Sequence, residues 1–65
     1  MRSRVAENIQ SAREGKDLTR EQLAQRLNTT RVRVWRVETG KIGLDVSELP
    51  RWAEALGVTA AELLA

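Results

Sequence analysis

Apolar residues recur along this chain at helical spacing, in short runs separated by capping signals. Val5, Ile9 and Ala12 stand at i, i+4 and i+7, which predicts a first helix of roughly residues 3–14 with one apolar stripe. Gly15 is expected to end it, since glycine adopts the left-handed conformation at least cost. Thr19 and Gln22 fit a capping box, with Leu18 and Leu23 placed as a hydrophobic staple across it. Leu23, Ala24 and Leu27 then form the inward face of a second helix at about 20–27, and Asn28, which tolerates a left-handed backbone, stops it.

Further on, Gly40 and Gly43 mark a loop. Asp45 and Glu48 fit an acidic capping box, and Val46, Leu49, Trp52, Ala53 and Leu56 keep helical spacing to Gly57. Pro50 falls inside that fourth helix, beyond the first position where proline costs least. Thr59 and Glu62 form a third box, opening a short fifth helix with Leu63 and Leu64 inward.

The segment between, "TTRVRVWRVETG", is ambiguous. From Thr30 to Val34 polar and apolar residues alternate, and three valines with a tryptophan favour a strand. No second run in the chain reads as β, so a strand here would leave its backbone groups unpaired. A helix satisfies them internally, at a propensity cost of a few tenths of a kcal/mol per β-branched residue. On a helical wheel Val34 and Val37 fall together with Glu38 beside them. Val32 and Arg36 lie opposite, flanked by Arg31 and Trp35, with Arg33 on the border. An outward valine and tryptophan among arginines serve no core and call for a partner.

Size and composition narrow the classes. Sixty-five residues make one domain, 1–65, whose core is modest, because chains of this length bury only about 60% of their unfolded surface. With no cysteine and no histidine there is no disulfide framework and no usual metal site. The lack of cysteine suits a reducing cytoplasm. No apolar run is long enough for a membrane span, and "MRSRVAENIQ" is too polar for a signal-peptide core. The absence of histidine, cysteine and tyrosine, with no acid pair in an evident cleft, argues against an enzyme. No cofactor is implied.

The net charge is only +2, yet it is unevenly placed. Residues 16–41 carry seven basic and three acidic side chains; the remainder carries four basic and six acidic. A clustered basic region is the electrostatic footprint of nucleic-acid binding. Charge alone divides evenly between that reading and a solvated helix surface.

"LTREQLAQRLNTTRVRVWRVETGK" resembles the helix-turn-helix of the phage repressor and Cro (Xre-like) family, and "ALGVTAAELL" is similar to that family's closing helix pair. The resemblance covers about residues 4–64. It is carried by Leu18, Leu23-Ala24, Leu27, Val34, Val37-Glu38, Gly40 and Leu56-Gly57-Val58, specific as an ordered set. It implies an all-α, compact five-helix bundle of the lambda repressor-like type, with the helix-turn-helix at about 19–38 and a recognition helix at about 30–38 in the major groove. By the family's pattern Arg31, Val32, Arg33 and Arg36 occupy base-reading positions. Arginine suits guanine O6 and N7, and Val32 suits a thymine methyl. Arg20, Thr30 and Lys41 are placed to hold phosphates. Arg13 and Glu38 align with a buried ion pair that ties helix one to the end of helix three.

Some positions depart from the family's pattern. Arg20 stands where glutamine is common, Asn28 where glycine is, and Leu44 where proline is. Asp45 brings a negative charge to a position that often meets phosphate, so that contact is not carried over.

Trp52 reads as core. For Trp35, packing against the loop after Gly40 or against helix four is favoured over facing a partner. Ile42 and Leu44 form a loop pair that either covers the core or meets a second copy.

The function implied is sequence-specific double-stranded DNA binding by a bacterial or phage transcriptional regulator. It would act as a homodimer on DNA or as a domain of a longer chain. An antitoxin-type autoregulator is one variant. A protein-interaction module built on a repurposed helix-turn-helix bundle is the rival, against which the outward arginines count.

Overall fold

In the computed structural model, which describes residues 2–65, every α-helix but the fourth opens on a side-chain cap, and most close around a left-handed residue. α1 (Arg4–Gly15) starts where the Ser3 hydroxyl accepts the Ala6 amide at 3.2 Å. α2 (Arg20–Leu27) has a complete capping box. Thr19 Oγ1 accepts from the Gln22 amide at 3.0 Å, and Gln22 Oε1 accepts from the Thr19 amide at 2.8 Å. Thr30 caps α3 (Arg31–Glu38) through the Arg33 amide. Thr59 and Glu62 form the reciprocal box of α5 (Ala60–Leu64). The alternating segment is therefore helical, and there is no strand among the described residues.

α1, α2, α3 and α4 (Leu49–Leu56) terminate alike. In each, two amides beyond the helix bond back to carbonyls five and three residues earlier, around a residue of positive φ. The pairs are Leu18 to Arg13 and Asp17 to Glu14, Thr29 to Ala24 and Asn28 to Gln25, Lys41 to Arg36 and Gly40 to Val37, Val58 to Ala53 and Gly57 to Glu54. This is the Schellman arrangement. Asn28 takes the left-handed position as expected, at φ 55°.

At the end of α1 the expectation fails: Gly15 stays in the helix and Asp17 takes φ 55°. Burial gives the reason. A turn centred on Asp17 puts Leu18 at the position that packs back on the helix, whereas a turn on Gly15 would put charged Lys16 there.

Helix four also differs from its sequence reading. Val46–Glu48 form a single 3₁₀ turn, and α4 begins only at Leu49. The acidic capping box is not made: Asp45 accepts the Ser47 amide, and Glu48 is engaged by Arg33 instead. Starting the helix at Leu49 makes Pro50 its second residue, where an amide would have no intrahelical partner. Val46 then lies off the buried stripe and is exposed. Leu64 is exposed as well, because a helix of five residues cannot turn two successive side chains inward.

The core draws on every helix: Ile9 from α1, Leu23 and Leu27 from α2, Val34 and Val37 from α3, Trp52 and Leu56 from α4, and Leu63 from α5. Fully burying each aliphatic side chain contributes about 1.5–3 kcal/mol before entropy is charged against it. α2 packs on α3 and on α4, while α1 packs on α3, α4 and α5. Polar and charged side chains reinforce these contacts by donating to helix C-terminal carbonyls. Arg51 reaches Leu27 O from α4, Arg26 reaches Ala55 O from α2 at 3.0 Å, and Asn8 reaches Leu63 O from α1 at 3.0 Å. α3 is thus held from behind by two valines and flanked by α1 and α2, with its other side open.

Candidate nucleic-acid interface

The open side of α3 carries Arg31, Val32, Trp35 and Arg36, all exposed. Val34, Val37 and Glu38 fill the opposite side and are buried. This division follows from sequence spacing: residues three and four apart share a face, so fixing Val34 and Val37 inward puts Val32 and Arg36 outward. The guanidinium groups of Arg31 and Arg36 form no ion pair among the described residues.

Not every cation of the basic segment reaches this face. Arg33 is intermediate in exposure and gives Nη2 to both carboxylate oxygens of Glu48 at 2.9 Å. Arg26 is spent on the end of α4. Lys16 lies against Gly57, with Nζ 3.1 Å from where a Cβ would stand. The free positive charge on the open side is therefore smaller, and more sharply placed, than the sequence count suggested.

Behind α3 the carboxylate of Glu38 is fully buried and accepts from two arginines. Arg13 donates Nε to Oε2 at 2.7 Å and Nη2 to Oε1 at 3.0 Å; Arg20 donates Nε to Oε1 at 3.1 Å. Arg13 also donates to Leu18 O at 2.8 Å. One anion thus joins α1, the start of α2 and the end of α3. The Arg20 bond was missed from sequence. It spans eighteen residues, and nothing local to Arg20 signals it. Arg20's terminal amino groups make no hydrogen bond among the described residues.

The phosphate candidates sit at the edges of the open face. Thr30 accepts the Arg33 amide through its hydroxyl oxygen, which leaves the hydroxyl proton to donate. Lys41 follows the left-handed Gly40 and is exposed. Trp35 is the clearest departure from expectation. It is 42% exposed on the open face, where packing against the loop or α4 was favoured. Ile42 is exposed, and Leu44 is partly buried against the core.

A capped second helix that braces a third, with the third helix's outer face basic and exposed, defines the helix-turn-helix class of domains. The chain belongs to the helix-turn-helix domain family, whose model matches residues 4–65. Solved structures agree. A hypothetical transcription factor, NHTF, from Neisseria is 32% identical, with TM-score 0.88 over 95% of this chain and 71% of its own. The restriction-modification controller protein C.AhdI from Aeromonas hydrophila is 27% identical, with TM-score 0.85 over 92% and 91%. The clp gene regulator ClgR from C. glutamicum, at 23% identity and TM-score 0.88 over 94% and 79%, shares the fold. Among curated proteins, none matches the chain. The resemblance to the phage repressor and Cro group holds, and the family is one of DNA-binding regulators.

Proposed function

We propose that this chain binds double-stranded DNA sequence-specifically as the DNA-reading part of a bacterial or phage transcription regulator, with α3 in the major groove. The observation that carries it is the outer face of α3, where Arg31 and Arg36 flank exposed Val32 while the inner face is locked into the core. Base reading is assigned to Arg31, Val32 and Arg36. Two guanidinium groups without internal partners favour G·C pairs in the site. Arg33 contributes to base reading only after releasing Glu48, so its part is secondary. Arg20, Thr30 and Lys41 hold phosphates and set the register.

A single helix reads few base pairs. Binding as a dimer to half-sites about 34 Å apart, or within a longer chain, supplies the remaining specificity. Regulation of transcription places the protein in the cytoplasm. No helix among the described residues is long and apolar enough to cross a membrane.

Titration of a mixed-sequence duplex against salt tests the reading. Phosphate contacts release counterions, so log K should fall linearly with log[salt]. An absence of binding even at low salt favours the protein-interaction alternative.

A further inference from the structure

Val32 and Trp35, 50% and 42% exposed, stand three residues apart on α3 and share one face. With Arg31 and, from the start of α2, Arg20, they line an open recess of about 290 Å³. That size is at the small end of ligand pockets, and the recess opens on the face assigned to the groove. Its lining pairs an apolar surface with two guanidinium groups and includes no acid. An apolar protein helix seated there would strip water from both cations without replacing it, which is costly. A nucleotide offers both kinds of chemistry at once.

Arg20 enters this recess already oriented. Its Nε is held by the buried Glu38 carboxylate at 3.1 Å, and that carboxylate is fixed in turn by Arg13. The guanidinium is thus anchored from behind, with its terminal donors left for a phosphate.

We infer that the recess receives the C5-methyl edge of a pyrimidine, the methyl packing on Trp35 and Val32 while Arg20 holds the adjoining backbone phosphate. This rests on the placement of α3 in the major groove. The C5-methyl is the apolar feature that base edges present in that groove; the other groups there are hydrogen-bond donors and acceptors, which lose water against an indole without gaining a partner. Trp35 is therefore a specificity-determining residue, and Glu38 is a positioning residue acting through Arg20. Thymine and 5-methylcytosine carry the same methyl group, so the recess discriminates presence from absence of the methyl at one pyrimidine in the site.

The test starts from a duplex that the protein has selected from a random pool. Each thymine is replaced in turn by deoxyuridine, and each cytosine by 5-methylcytosine, and affinities are measured for the wild type, Trp35→Ala and Trp35→Gln. The methyl should strengthen wild-type binding at one position by about fourfold, the worth of one buried methyl group. Both variants should lose most of that preference, keeping only the part that Val32 supplies. Each variant's thermal unfolding is followed to show that it folds, and either one that does suffices. No methyl effect at any position, or an effect that survives undiminished in the folded variants, overturns the inference while leaving the groove reading intact. A protein that bound no duplex would remove both.

Discussion

Arg13 and Glu38 lie twenty-five residues apart in the chain and meet through two parallel hydrogen bonds, of 2.7 and 3.0 Å, inside the bundle. Because Arg20 shares the same carboxylate, the two ends of the pair are unequal. Glu38→Ala leaves Arg13, 7% exposed, with only the solvent-exposed Glu14 carboxylate at 3.9 Å and no hydrogen-bonded counter-ion, and should cost about 3–5 kcal/mol. Arg13→Met leaves Glu38 still paired with Arg20 and should cost distinctly less. The double variant Arg13→Met/Glu38→Leu should recover part of the loss. Urea unfolding followed by helical circular dichroism ranks the three; equal costs for the two single variants would contradict a shared carboxylate.

Two glycines should respond in opposite directions. Gly15 lies inside α1, and a Cβ there meets nothing within 4 Å. Gly15→Ala should therefore stabilise by about 0.5–1 kcal/mol, raising the melting temperature by several degrees. Gly57 has φ +72°, and its Cβ would press on Lys16 at 3.1 Å. Gly57→Ala should lower stability by roughly 1–2 kcal/mol. Thermal melts of the two variants decide the matter, since a left-handed role for Gly15 would make both destabilising.

On DNA, Arg36→Ala should relax preference at one base pair by roughly 1–3 kcal/mol. Lys41→Ala should weaken all sequences about equally and reduce the salt slope by about one. Binding titrations on a selected and a scrambled duplex separate the two. Equal loss on both duplexes for Arg36→Ala would end its base-reading assignment.

Arg33→Ala probes the pairing with Glu48. This ion pair is about one-third exposed on each side, so its loss should cost no more than about 1 kcal/mol of stability. Base preference should change less than for Arg36→Ala. A larger loss of preference would show that Arg33 leaves Glu48 when DNA binds.

What could be read from the chain was what depends on neighbours in sequence. The boxes at Thr19/Gln22 and Thr59/Glu62, the left-handed Asn28 and the inward turn of Val34 and Val37 are set by residues within four positions of one another, so their patterns carry the information. The misses come from long-range competition. Glu48 matched a capping box until Arg33 claimed it, and the apolar spacing through Val46 hid the start that Pro50 imposes at Leu49. Gly15 looked like the stop of α1 because nothing local shows that the closing turn places Leu18, rather than Lys16, where it can pack back on the helix. Trp35 could be assigned a side of its helix, but its exposure depends on how α2 and α3 meet, which no local pattern encodes. The Arg13–Glu38 pairing came from family resemblance, and the share taken by Arg20 is a property of the packed bundle.

Selection of bound duplexes from a random pool, run side by side with wild type and Arg36→Ala, tests the central claim most directly. The wild type should enrich one motif containing G·C pairs, arranged as an inverted repeat with half-sites about one helical turn apart if two copies bind together. Arg36→Ala should enrich the same motif with one base pair degenerate. A wild-type pool that emerges without any enriched sequence would contradict the account.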